Sequence, residues 1–162
     1  MLDSVEVLGF RGCIDSVADT LRDVNSFKGD GEIIQLLNAD SIVSERHVVH
    51  GVNQAFLAFE RGENLAKDIG VEIVLRCSAQ RQISRAFDIL GLREGDMNLC
   101  AVLVNSGDHF DDLSSMFSPD MGVLNPDFNY LMDVYGIGDV EVQRMSVEDI
   151  VIDRITKLIV DY

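Results

Sequence analysis

Hydrophobic positions alternate over residues 4–10, which predicts a first strand. Over 15–27 the pattern changes to a helical one, with Val17, Ala18, Leu21 and Val24 on one stripe. The run Lys28-Gly29-Asp30-Gly31 reads as a turn, and the apolar run 32–38 after it reads as a buried strand. Ser44 is placed to cap a long helix over about 45–62, with Val48, Val52, Ala55, Phe56 and Phe59 inward and Gly62 at its end. Residues 64–70 read as a helical turn and loop.

Residues 71–78 alternate again. Val71, Ile73, Leu75 and Cys77 fall on one face, with Glu72, Val74, Arg76 and Ser78 on the other, so a strand is predicted. Ser78 then caps a helix over 79–90 with Ile83, Ala86, Phe87 and Leu90 inward. Residues 98–104 form another apolar strand, and 106–125 read as irregular or weakly helical. Asn125-Pro126 opens a helix to Tyr135, residues 140–144 alternate as a strand, and Ser146 with Asp149 resembles a capping box for a last helix over 147–161. The element order predicts a mixed α/β fold, one domain over residues 1–162, with a small mixed β-sheet packed by several helices.

Composition narrows the class. A chain of 162 residues with 47% apolar content and two prolines can bury a substantial core. Cys13, Cys77 and Cys100 are odd in number and in no metal-ligand spacing, which suggests reduced thiols. The N-terminal residues lack a basic segment and a long apolar run, and no stretch approaches a membrane span. The expected location is the cytoplasm.

Charge adds the most informative feature. There are 28 acidic against 13 basic residues, a net charge of −15. That balance opposes nucleic-acid binding. Yet between Ile73 and Phe87 stand Arg76, Arg81 and Arg85 with no acidic residue. A basic island on an acidic chain, at the start of a helix opened by Ser78, is a candidate anion or phosphodiester site. The alternative is a solvated helix face with Arg85 paired to Asp88.

Other constellations are weaker. His47 and His50 have chelating spacing but no third ligand, so packing or solvent-facing roles are expected. Asp108, His109, Asp111 and Asp112 lack the order of a calcium loop and read as a solvated acidic turn. Cys77 falls on an apolar face, where a thiol is inert. Gly136-Ile137-Gly138 lacks the third glycine of a dinucleotide fingerprint. No catalytic group, metal or cofactor is expected. The last helix has an apolar arc wider than a surface helix needs, so it is buried on two sides or meets a partner. Ile152, Ile155 and Ile159 are its candidate partner-facing residues.

Ala55 and Ala58, Asn64, Glu72 within Val71–Leu75, Ser78, Gln82-Ile83, Ala86 and Gly91-Leu92 together resemble the PRPK-binding protein family. Its members are small subunits of the KEOPS complex. The resemblance is best over residues 45–104, and members more often carry glycine where Ala79 stands. It implies a mixed α/β domain without catalytic activity that binds the small atypical kinase of KEOPS. It also implies capture of the single-stranded 3′ CCA end of tRNA, for threonylcarbamoyladenosine synthesis with the other KEOPS subunits. On that reading Arg76, Arg81 and Arg85 meet phosphates and Gln82 meets base edges. Ser78, Ile83 and Lys67 complete the RNA-binding set. A pure kinase-regulating subunit without RNA binding is the rival.

Overall fold

The central strand is β3, Gly95–Val104, whose Leu99–Val104 half is buried on both faces. A computed structural model describes residues 1–158. β3 lies between β1, Val5–Ile14, and β2, Ile33–Asn38; β4, Ser118–Pro119, pairs with the outer edge of β1. The order is β2-β3-β1-β4, and each of the three pairings is antiparallel. Val7 stands opposite Val102 and Leu37 opposite Cys100 on one face; Phe10 stands opposite Leu99 and Ile34 opposite Leu103 on the other.

Both faces are covered, which explains the unbroken apolar run of β3. On one face lie α2, Glu45–Arg61, α3, Ile69–Ser78, and α4, Ile83–Leu90. The other face packs on α1, Val17–Phe27, and α5, Phe110–Met116. A third cluster unites α6, Phe128–Tyr135, with α8, Val147–Lys157, through Leu131, Tyr135, Ile150, Val151 and Ile155. α7, Asp139–Val142, is a single turn between them.

Most elements fall where the pattern puts them, but residues 71–78 are helix, not strand. Gly70 and Glu72 through Ser78 are all buried, so α3 has no polar face from which a period of 3.6 could be read. Its start is set by Asp68, whose carboxylate accepts from Val71 N at 3.0 Å. Its close packing on α2 requires Gly51, where a Cβ would lie 3.1 Å from Cys77 Cα.

Ser78 accordingly ends α3 rather than capping the next helix, and its hydroxyl donates to Leu75 O at 2.9 Å. Ala79 closes α3 with φ +55°; Ala79 N donates to Arg76 O and Gln80 N to Leu75 O. This is the left-handed C-terminal motif that usually holds glycine. α4 therefore begins at Ile83, with Gln82 in the cap position. Residues 140–144 are not a strand; α7 occupies the start of that segment. Residues 106–125 hold α5, β4 and a 3-10 turn at Met121–Leu124.

Candidate nucleic-acid interface

α3 and α4 form a helical hairpin against the free edge of β2. Ala86 and Leu90 are the buried stripe of α4. Ile83 and Phe87, four residues apart, form a second stripe about 60° around the helix, and they are 49% and 38% exposed. Phe87 enters the wall of a groove of about 570 Å³, together with Leu21 of α1, Leu36 of β2, and Asp68, Gly70 and Val71 at the start of α3. The sequence pattern puts Ile83 and Phe87 inward; the structure does not. The available signal was an apolar arc on α4 wider than burial needs, the same feature noted for the last helix.

The basic residues divide around this hairpin. Arg85 is exposed and has no ion-pair partner among the described residues; Asp88 does not pair with it. Arg81 is exposed, and its guanidinium donates to Leu158 O at 3.2 Å. Gln82 is exposed and its side chain makes no capping bond. Lys67 is exposed at the opposite end of α3, on the rim of a second groove with Phe56, Phe59, Asp68 and Ile69. α3 has 10 residues, so its two ends are separated by about 15 Å. Phe87 shares its groove with Asp68, Gly70 and Val71 at the Lys67 end, and Ile83 opens α4 after the other end.

Arg76 and Ser78 do not belong to this surface. Both are fully buried. The strand alternation that aimed Arg76 outward does not exist, because α3 is helical. Arg76 Nε instead donates to Glu72 Oε2 at 2.7 Å, one turn back. A guanidinium enclosed in the core cannot meet a phosphate.

A family model described as kinase binding protein CGI-121 matches residues 16–157, nearly all of the described chain. The chain belongs to that family. A regulatory protein Cgi121 of Methanocaldococcus jannaschii is 40% identical over 68 residues, which covers 42% of this chain and 43% of that protein.

Ile155 is fully buried in the third core cluster and faces no partner. The helix is wide because α8 packs on α2 as well as α6. Ile152 is half-buried and lines a shallow groove with Glu45, Arg46, Val49, His50 and Asn53. Ile159 lies outside the described residues. Arg46 bridges the same region to α8, 2.9 Å from Glu148 and 3.0 Å from Asp149.

His47 is buried; Val43 N donates to its Nδ1 at 3.1 Å, and its Nε2 donates to Cys77 O at 2.7 Å. Burial pulls its pKa down to about 4. His50 Nε2 lies 2.8 Å from Thr156 Oγ1. His47 is part of the buried core and His50 links α2 to α8, and no group of three metal-competent side chains occurs among the described residues. Burial drives the Cys77 thiol well above its ordinary range, which makes it inert. Among the described residues, no helix is long and apolar enough to cross a membrane.

Proposed function

We propose that this chain is the non-catalytic KEOPS subunit that binds the complex's small atypical kinase and captures the 3′ CCA end of tRNA in the cytoplasm. The observation that carries the RNA half is the exposed Ile83–Phe87 stripe edged by Arg81 and Arg85, with Lys67 at the far end of the same hairpin. Single strands bind where cations meet the backbone and planar or apolar surfaces meet the bases. Here Arg81, Arg85 and Lys67 meet phosphates, Gln82 meets a base edge, and Phe87 stacks on a base entering its groove. The surrounding acidic surface repels phosphate elsewhere, so contact is confined to this edge. The reading requires no cofactor and no catalytic group. Its home is the KEOPS assembly, whose product is threonylcarbamoyladenosine.

The kinase half follows from the family description, and Ile152 in the α2–α8 groove is its proposed contact. Two charge changes test the halves separately. Ile83→Asp weakens tRNA binding and leaves kinase copurification intact; Ile152→Asp does the reverse. If neither change affects its own ligand, both assignments are wrong.

A further inference from the structure

Glu72 and Arg76 form a fully buried ion pair whose hydrogen bonds reach beyond α3. Glu72 Oε1 accepts from Leu65 N and Ala66 N, each at 2.7 Å. Glu72 Oε2 accepts from Arg76 Nε at 2.7 Å, and Arg76 Nη2 donates to Glu63 O at 3.3 Å. The pair thus holds the backbone of three of the five residues linking the Gly62 cap of α2 to the Asp68 cap of α3. Asn64 closes the turn on itself, its amide donating to Ala66 O at 2.8 Å.

An apolar pair could fill the same volume without the desolvation cost of two charges. It could not bind two N–H groups and a carbonyl of a connecting loop. The loop so held presents Lys67, and it leads directly into Asp68 and Ile69. Those two residues are walls of both grooves beside α3.

We infer that Glu72 and Arg76 are positioning residues: they fix the 63–67 connection so that Lys67 and the shared wall of the two grooves are preformed for the RNA strand. The inference rests on the RNA-binding reading above.

The test uses the full chain, tRNA ending in CCA, and amide exchange at Leu65 and Ala66. Glu72→Met with Arg76→Met removes both charges together, and Arg76→Lys is the milder variant that keeps the charge but loses the guanidinium fork. We expect faster exchange at Leu65 and Ala66 in both variants. We also expect about fivefold weaker tRNA binding, and no additional loss when Lys67→Ala is added. Undiminished tRNA binding, or a Lys67→Ala loss that stays as large as in the unmodified chain, overturns the inference. So does unchanged exchange at both amides. A chain that binds no tRNA before any substitution defeats the RNA reading itself, and exchange then decides the loop claim alone.

Discussion

His109 Nε2 lies 2.7 Å from Glu32 Oε1, joining the start of α5 to the start of β2 across 77 residues of sequence. Their side chains are 13% and 16% exposed. Glu32 also accepts from Gly107 N and Gly29 N at 2.6 Å each, and His109 Nδ1 lies 2.9 Å from Asp112 Oδ2. The cluster that reads in sequence as a solvated acidic turn is therefore a staple across one end of the sheet, where β2 begins beside the end of β3.

The staple makes stability depend on pH in a defined window. Bonds from Gly107, His109 and Gly29 hold the Glu32 carboxyl at about 2, below its ordinary 4.5. Its contribution is complete above 4.5 and is lost as pH falls towards 2. Asp112 and then Glu32 raise the His109 pKa above 6.5. That contribution is complete below 6.5 and is lost as pH rises through the raised value. In thermal melts from pH 3 to 9, the Tm deficit of Glu32→Gln is expected to be largest between about 4.5 and 6.5. A deficit independent of pH would show that ionisation plays no part.

Ala79 holds a left-handed conformation, φ +55°, at the end of α3. An L-residue with a Cβ pays for that geometry and glycine does not. Ala79→Gly is expected to raise unfolding stability by about 0.5–1 kcal/mol, because the strain relieved exceeds the small loss of packing by one methyl. Urea unfolding checks this, and a destabilised variant contradicts it.

Arg76 and Arg85 stand in one basic run of sequence and have opposite roles. Arg76→Ala leaves Glu72 charged and unpaired in the core, so a loss of about 3–5 kcal/mol is expected. Arg85→Glu lies on the surface and should change stability by no more than about 0.5 kcal/mol. It should nevertheless weaken tRNA binding and lessen its salt dependence. Paired measurements of unfolding and tRNA titration separate the two.

The contrast also shows how far the sequence could be read. Alternating or helical patterns locate β1, α1 and α2, because each has one face whose burial differs from the other, whereas β2 and β3 are legible as short apolar runs covered on both faces. The pattern over α3 misleads for the opposite reason: it is buried nearly all round, and Val71, Ile73, Leu75 and Cys77 happen to alternate with Glu72, Arg76 and Ser78. Once that segment is taken as a strand, Arg76 points outward and Ser78 becomes a cap. The Glu72–Arg76 spacing of four was the available helical signal, one turn apart with opposite charges. Arg81, Gln82, Arg85 and Lys67 survive as exposed residues because their placement does not depend on the type of α3. Phe87 was hidden, since an apolar residue near Ala86 and Leu90 reads as core until the packing of α1 leaves it open.

Phe87 gives the sharpest surface prediction. A stacked base is worth about 1–3 kcal/mol, so Phe87→Ala should weaken tRNA binding by roughly 5- to 100-fold. Phe87→Trp should restore binding because it keeps a planar face. Equal binding by the Ala variant and the unmodified chain would remove Phe87 from the interface.

The most direct measurement compares two ligands on the unmodified chain: full-length tRNA ending in CCA, and the same tRNA lacking those last nucleotides. With the single-stranded end as the bound element, removing it should weaken binding at least tenfold at fixed salt, about 1.4 kcal/mol or more. Equal affinity for the two tRNAs would contradict capture of the 3′ end.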